Sequence, residues 1–427
     1  TVAGVEFKNP FIVGVGPPVK NAEKILKIAE MGWGGSTTKT ILVEPTKDPS
    51  PRLAARAVDG HLYTMQNIEL LTTQPLDQWA KWIKEAKEKA PSDFVLIASI
   101  MGTPELETWD EPLKVAQENG ADMVELNVSC PHGSPEHYMG AFIGQDPDLT
   151  AKITAHVKRQ AKVPVIVKFT PNVTDIKPIA KAAAEAGADA YTVSNSHGPV
   201  IMGVDIYKAE PLPSVKGFSS PGGMSGPAVK PICLRLVVDV MKTVPNAQIF
   251  GLGGIVTWYD AMEYMMLGAR AVQSVTGVMW YGFGIIENLV QGTLDFLKRH
   301  NYSSVEEVVG KVLSKFIAHS DLSFEKWAKT SVEHEKCIAC SRCIVTCQTA
   351  GKGALYMDTE HMVVRTDLEK CGGCGICQYV CPTGAIKVVS KEEAERREKE
   401  FRVSPLSVRM QRYFSKLYEG PRPRFHP

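Results

Sequence analysis

Two short runs near the end of the chain restrict what it can be more than any other feature. They are Cys337-Ile-Ala-Cys340-Ser-Arg-Cys343-Ile-Val-Thr-Cys347 and Cys371-Gly-Gly-Cys374-Gly-Ile-Cys377-Gln-Tyr-Val-Cys381-Pro382. Each reads C-x2-C-x2-C-x3-C. The two-residue gaps let one tight loop reach three corners of an iron–sulfur cubane, and glycines beside the thiols let backbone N–H groups approach the sulfurs. Where two such runs share a fold, the fourth cysteine of each ligates the other cluster. The expected ligands of cluster one are therefore Cys337, Cys340, Cys343 and Cys381, and those of cluster two Cys371, Cys374, Cys377 and Cys347. Structural zinc sites also gather thiols, but two complete copies of this spacing favour two [4Fe–4S] clusters.

Only Cys130 and Cys233, of ten cysteines, lie outside this segment. A disulfide scaffold suits a short secreted chain, whereas this one has 427 residues and an N-terminus, Thr1-Val2-Ala3-Gly4-Val5-Glu6-Phe7, without the basic and apolar regions of a signal peptide. No apolar run approaches the roughly 18 residues of a membrane span. The 48 basic and 47 acidic residues leave a net charge of +1, which gives no electrostatic reason to expect nucleic acid or an anionic membrane as partner. The reading is a cytoplasmic protein.

Ahead of the cysteines, short β-branched runs alternate with amphipathic stretches. The strand candidates are Phe11–Gly16, Ser36–Thr40, Phe94–Met101, Met123–Ser129, Val165–Phe169, Ala190–Ser194, Gln248–Gly251 and Ala271–Val275. Eight strands, several apolar at consecutive positions, predict the parallel sheet of a (β/α)8 TIM barrel, with an open doubly wound sheet as the competitor. The expected organisation is a barrel over 1–300, a helical linker over 301–330, an α+β ferredoxin-like two-cluster domain over 331–390, and a charged helix with an extended arm, from Pro405 on, over 391–427. Two Pro- and Gly-containing stretches, Ile41–Pro75 and His197–Gly226, are too long for simple connections. Both follow strands, which puts them over the C-terminal face of a barrel, where active sites lie.

The last two strands end in Gly251-Leu252-Gly253-Gly254-Ile255 and Val275-Thr276-Gly277. Glycine loops at these positions expose backbone N–H groups to an anion and form the usual barrel phosphate site. Because clusters carry single electrons, flavin mononucleotide (FMN) is the natural occupant: it accepts electrons singly and delivers hydride pairs.

On these motifs and on Asn9-Pro10-Phe11, Thr38-Lys39-Thr40, Asn67-Ile68-Glu69-Leu70, Ala98-Ser99-Ile100-Met101, Glu125-Leu126-Asn127-Val128-Ser129-Cys130-Pro131-His132-Gly133, Gly144-Gln145-Asp146-Pro147 and Lys168-Phe169-Thr170-Pro171-Asn172-Val173-Thr174-Asp175-Ile176, the chain resembles the flavin and iron–sulfur part of the dihydropyrimidine dehydrogenases, and more distantly the dihydroorotate dehydrogenases. The resemblance runs from Val5 to about Val388. It implies flavin contacts at Val15, Gly16, Lys39, Thr40, Lys168, Gly226, Gly253, Gly254, Ile255, Val275 and Thr276. Lys168 would lie near the flavin N1–C2 carbonyl, the alternative being a buried lysine paired with a carboxylate. The resemblance also implies pyrimidine contacts at Asn67, Asn127, Ser129, Asn195 and Ser196, and makes Cys130 the catalytic acid or base beside the carbon that exchanges hydride. Cys233, inside an amphipathic segment, reads as a plain buried cysteine. A mobile loop over 132–144 would close on substrate with Gly133 and Gly140 as hinges.

The chain departs from that family in Ser134 to Ile143, which is bulkier and more aromatic, in Ser196, which replaces a threonine, and in Asp205–Gly223. It contains no G-x-G-x-x-G after a strand, so electrons are expected from a separate NAD(P)H-dependent reductase subunit or ferredoxin. The expected function is reduction or oxidation of a pyrimidine C5–C6 bond by a homodimer or larger hetero-oligomer. The alternatives are the same chemistry on another conjugated carbonyl ring, or a non-catalytic electron-transfer subunit.

Overall fold

The computed structural model describes residues 1–131 and 138–418. His132, Gly133, the first four residues of the divergent stretch 134–143 and the arm beyond Tyr418, all singled out above, lie outside the described residues. The chain divides into two compact units between Phe316 and Ile317.

The first unit is built on eight parallel strands: β1 Phe11–Val13, β2 Gly35–Thr37, β3 Val95–Ile100, β4 Met123–Asn127, β5 Val165–Phe169, β6 Ala190–Val193, β7 Ile249–Leu252 and β8 Ala269–Ser274. They close into a barrel in chain order, with Phe11 of β1 opposite Val272 of β8. The helices between them are α1 Ala22–Glu30, α2 Leu76–Lys89, α3 Asp110–Glu118, α4 Pro147–Gln160, α5 Lys177–Glu185, α6 Lys230–Thr243 and α7 Trp258–Met266, with α8 Ile285–Arg299 after β8. Local chemistry starts several of them: the Asn21 side chain accepts from Lys24 N, Asp146 caps the helix that Pro147 opens, and Thr257 and Asp260 form a reciprocal capping box. Strands β3, β4 and β5 are buried at every position, because helices cover one face and the barrel interior the other.

The interior changes character along its axis. One layer is apolar, with Ile12, Ile97, Met123, Ile166, Phe250 and Ala271 packed together. Two residues further along the strands, toward their C-terminal ends, come Ser99, Glu125, Lys168, Thr192 and Gln273, all buried. The apolar layer fills the floor, and the polar layer opens toward the loops.

The two long stretches are not irregular. Leu53–Val58 and His61–Asn67 form a hairpin, and His197–Val200 and Gly222–Ser225 complete a four-stranded antiparallel sheet with it. Gln66 ties the sheet together: its Oε1 accepts from Met202 N at 2.5 Å and its Nε2 donates to Ser220 O at 3.2 Å. The pairing brings Asn67 opposite Gly223.

In 301–330, read as helical, the chain makes three short 3-10 turns, Val305–Glu307, Leu313–Lys315 and His319–Asp321. The second unit pairs Ala328–Val332 with Ile386–Ser390 and Leu355–Asp358 with Val363–Thr366, both antiparallel, and carries helices Arg342–Ala350, Ile376–Tyr379 and Lys391–Lys399. The segment after Pro405, expected to be extended, is instead a helix, Leu406–Tyr418. It contains no glycine or proline, and Arg409 on it is buried against the unit.

The inserted sheet yields a stability test. A Cβ at Gly222 would stand 2.3 Å from the carbonyl oxygen of Asn67. Gly222→Ala should therefore cost roughly 1–3 kcal/mol, the usual penalty of overpacking. Thermal unfolding should register the loss, and protease cleavage within 197–226 should increase while the barrel keeps its helical circular dichroism.

Candidate active site and cluster sites

Glu125, on β4 and fully buried, is the hub of the polar layer. Its Oε1 accepts from Lys168 Nζ of β5 at 3.2 Å. Its Oε2 accepts from Thr192 Oγ1 of β6 at 2.7 Å and from Gln273 Nε2 of β8 at 3.0 Å. A buried charge needs such partners, since unpaired it would cost several kcal/mol. Lys168 is thus a carboxylate-paired lysine and a cleft-lining residue at once.

The cleft above it encloses about 710 Å³ and is lined by Val15, Gly16, Lys168, Gly253, Gly254, Ile255, Gln273, Val275 and Thr276 among others. Two features test whether the residues fit FMN. Gly253 and Gly254 have φ of +128° and +70°, and a Cβ on Gly254 would come within 2.8 Å of Lys230 Cβ. Among the described residues, none accepts from the N–H groups of Gly253, Gly254, Ile255, Thr276 or Gly277. These free donors form a phosphate cradle. The nearby Lys230 is held by Asp260 at 2.5 Å and Glu263 at 2.6 Å, so the backbone supplies the donors. The second feature is Gln273 Oε1, a buried acceptor without a donor, which would take an N–H from a ligand ring. Of the expected flavin residues, Lys39 and Thr40 instead line the adjoining chamber, and Gly226 sits under the glycine loop, its carbonyl 3.0 Å from where a Gly254 Cβ would be. Cys233 is packed beneath Gly253, and burial pushes its thiol up to about 11, consistent with an inert cysteine.

A second chamber of about 410 Å³ adjoins the cleft through shared residues Val15, Gly16, Asn67, Lys168, Asn195 and Ser196, and adds Lys39, Thr40, Glu69, Asn127 and Cys130. Its wall is one chain of hydrogen bonds. Ser99 Oγ meets Thr40 Oγ1 at 3.0 Å, Thr40 accepts from Asn127 Nδ2 at 2.8 Å, Ser129 Oγ donates to Asn127 Oδ1 at 2.9 Å, and Asn195 Nδ2 donates to Ser129 Oγ at 2.8 Å. Ser129 is fully buried behind the wall and holds the two amides in place. Cys130 is buried in the chamber; its carbonyl accepts from Ala141 N at 3.0 Å, and Gly140 packs against it so closely that a Cβ there would lie 2.6 Å from that carbonyl.

Sequence reasoning missed Glu69. Burial raises its carboxyl pKa, but the charges of Lys39 and Lys20 and hydrogen bonds from Lys39 and Arg52 more than offset this, leaving it below the ordinary range. An acid two residues after Asn67, in the apolar company of Ile68, Leu70 and Leu71, was the available signal.

In the second unit, Cys337, Cys340, Cys343 and Cys381 line one pocket of about 310 Å³, joining three cysteines of the first run to the last of the second. Burial pushes the Cys343 thiol up to about 12, and the neighbouring Cys337, Cys381, Cys340 and Cys377 add to it. Burial also raises Cys377, with Cys347, Cys374 and Cys371 contributing. The pocket gathers the four cysteines expected for cluster one, and iron binding must displace the protons that such thiols keep. N–H groups of Val364, Ala385, Thr330 and Ala354 point at Cys337, Cys381, Cys371 and Cys347 Sγ, at 3.5, 3.3, 3.4 and 3.2 Å.

Comparison with known proteins agrees with this division. The family model described as dihydroorotate dehydrogenase matches residues 1–297, and that of the 4Fe-4S dicluster domain matches residues 330–388. The chain is 36% identical over 392 residues to the NAD-dependent dihydropyrimidine dehydrogenase subunit PreA of Escherichia coli (strain K12), covering 91% of this chain and 94% of that protein. It is 37% identical over 349 residues to the chloroplastic dihydropyrimidine dehydrogenase (NADP(+)) of Arabidopsis thaliana, covering 79% and 81%. It is 37% identical over 310 residues to the dihydroorotate dehydrogenase B (NAD(+)) catalytic subunit of Methanothermobacter thermautotrophicus, covering 73% and 96%. The fold of DHODH from Eimeria tenella, solved with ferulenol, superposes with a TM-score of 0.61 at 21% identity over 73% of this chain and 87% of that one.

Removing Lys168 would strand the Glu125 carboxylate. Lys168→Met should lower stability by about 3–5 kcal/mol, the usual cost of breaking a buried pair from one side. Urea unfolding of the flavin-free protein measures it; a loss below about 1 kcal/mol, the value of an exposed pair, would contradict the pairing.

Proposed function

We propose a function from one premise: the chain belongs to the dihydroorotate dehydrogenase family and carries a 4Fe-4S dicluster domain C-terminal to the barrel in sequence. It is an oxidoreductase acting on CH–CH bonds, and its cofactors are FMN and two [4Fe–4S] clusters. Our reading of the substrate is a pyrimidine such as uracil or thymine, with the C5–C6 bond reduced or oxidised. The observation that carries it is the chamber where the amides of Asn67, Asn127 and Asn195 converge with Glu69 and Cys130.

The Oδ1 atoms of Asn127 and Asn195 are occupied by Ser129 and Ser196, and each Nδ2 gives one hydrogen to the wall. The second Nδ2 hydrogen of each amide is therefore the donor that suits a ring carbonyl of an imide edge. Glu69, kept ionised by its three cations, offers an acceptor for a ring N–H. Ser129 fixes the Asn127 and Asn195 amides, so they need not reorganise when substrate binds. Lys168 and its partner Glu125 place a fixed cation where the cleft and the chamber meet. Bound FMN supplies hydride exchange and accepts electrons one at a time. The chain's own step is at Cys130, whose Sγ holds or takes the proton of the carbon adjacent to the one exchanging hydride. A thiol suits this, since its ordinary pKa, roughly 8.5, is near working pH.

Electrons reach the clusters from a separate NAD(P)H-dependent reductase subunit or a ferredoxin, in a homodimer or larger hetero-oligomer. The Escherichia coli relative is itself a subunit, which supports this reading. Among the described residues no helix is long and apolar enough to cross a membrane, and we read the enzyme as cytoplasmic. The departures at Ser196 and in Ser134 to Ile143 favour a second reading in one respect: the same chemistry on another conjugated carbonyl ring. A purely electron-transferring role leaves the ordered wall of the chamber without a purpose.

Cys130→Ala should retain flavin and clusters but lose roughly 10²–10⁴ in turnover, the usual worth of a positioned general acid. Cys130→Ser should keep a little activity with its optimum at higher pH, because a hydroxyl releases its proton less readily. Turnover against pH, with flavin reduction followed separately, measures both. Unchanged turnover in Cys130→Ala would remove the thiol from the mechanism.

A further inference from the structure

The cluster unit buries two cations that have no acid partner among the described residues. Arg409, on helix Leu406–Tyr418, is 1% exposed. It donates only to backbone carbonyls: Nε to Ser404 O at 2.9 Å, Nη2 to His361 O at 3.0 Å and Met362 O at 2.8 Å, and Nη1 to His334 O at 3.5 Å and to Cys337 O. Lys329, on strand Ala328–Val332, is 9% exposed, and its Nζ donates to Leu368 O at 2.7 Å and Cys371 O at 2.8 Å. Among the described residues, no Asp or Glu oxygen lies within 4.0 Å of either charge. Cys337 and Cys371 are the first cysteines of the two runs. Each expected cluster thus has its own buried cation, hydrogen-bonded to the main chain of its first ligand.

Buried lysine and arginine are almost always paired with an acid, because carbonyl dipoles alone compensate poorly for lost hydration. The missing negative charge is available in the cluster. Four thiolates around a [4Fe–4S] core carry net negative charge, and reduction adds one electron to it without a proton. A fixed cation hydrogen-bonded to the main chain of a cluster ligand favours that added electron. The two cations come from the edges of the unit: Arg409 lies outside the matched dicluster segment 330–388, and Lys329 is one residue before it.

We propose that Arg409 and Lys329 set the potentials of cluster one and cluster two respectively, each stabilising the reduced form of the cluster whose first cysteine it holds. Even at an effective dielectric near 20, a unit charge within about 10 Å biases the ratio of reduced to oxidised cluster by roughly tenfold or more, which for one electron is about 59 mV. The proposal rests on the clusters alone, so it stands or falls independently of the substrate.

The test uses the full chain, purified without oxygen, in a potentiometric titration with dithionite followed by electron paramagnetic resonance. Iron and sulfide are measured on every sample. With full iron content, Arg409→Met should move one of the two one-electron waves to lower potential by about a tenfold ratio, roughly 59 mV, and Lys329→Met should move the other. The double variant should move both, and Arg409→Lys, which keeps the charge, should stay close to the parent. Waves that do not move in iron-replete Met variants would overturn the proposal, as would a shift in Arg409→Lys as large as that in Arg409→Met. If Arg409→Met does not hold cluster one, Arg409→Gln, which retains two donors, replaces it. Loss of the cluster from both neutral variants would overturn the assignment and make Arg409 an anchor of the fold.

Discussion

The buried Glu125 carboxylate is the interaction on which the rest of the barrel's chemistry depends. It lies where the interior passes from the apolar layer of Met123 and Phe250 to the polar layer, and its two oxygens link β4 to β5, β6 and β8. A charge at that depth is tolerated only because Lys168, Thr192 and Gln273 satisfy it. In return it fixes the Lys168 ammonium at the junction of cleft and chamber and turns the Gln273 amide so that its oxygen is left without a partner. The ligand-facing geometry is set from below by packing and charge, and from above by the sheet made from the two long insertions.

The second unit solves a different problem. Its core is small, and five thiols occupy much of it: Cys337, Cys343, Cys347, Cys371 and Cys377 pack with Val332, Leu355, Val363 and Ile386 in one cluster. Buried thiols resist ionisation, so the core is completed by metal, and binding iron is coupled to proton loss and to folding. The helix Leu406–Tyr418 closes on this unit through Arg409 and through Glu335, which accepts from Ser404 and Arg412.

Much of this was legible in the sequence because it rests on local spacing. The cysteine runs contain their own geometry, and the crossed ligand sets follow from a rule about how two loops share two clusters. The eight strands were visible because parallel strands buried on both faces are apolar at most positions, as Val165–Phe169 is at all but Lys168. The resemblance gathered Asn67, Asn127, Asn195 and Cys130, and the structure places all four around one chamber. What could not be read depends on pairing across long separations. Leu53–Asn67 and His197–Ser225 make one sheet through contacts about 150 residues apart, as Gln66 with Ser220 illustrates, and the hairpin residues show no strong alternation of their own. Glu69 carried no role in the sequence reading because Lys39, Arg52 and Lys20 meet it only in the fold. Likewise, the sequence of Leu406–Tyr418 has a helix former's composition but gives no sign that Arg409 faces inward.

The central claim is that the barrel holds a flavin beside a chamber shaped for a pyrimidine ring. The most direct measurement is an anaerobic titration of the flavin, reduced with stoichiometric dithionite, against uracil, thymine and a simple cyclic enone, following the flavin absorbance. The account predicts that uracil or thymine restores the oxidised spectrum, with one dihydropyrimidine formed per flavin reoxidised. A flavin that stays reduced with both pyrimidines, or that the enone alone reoxidises, would contradict it.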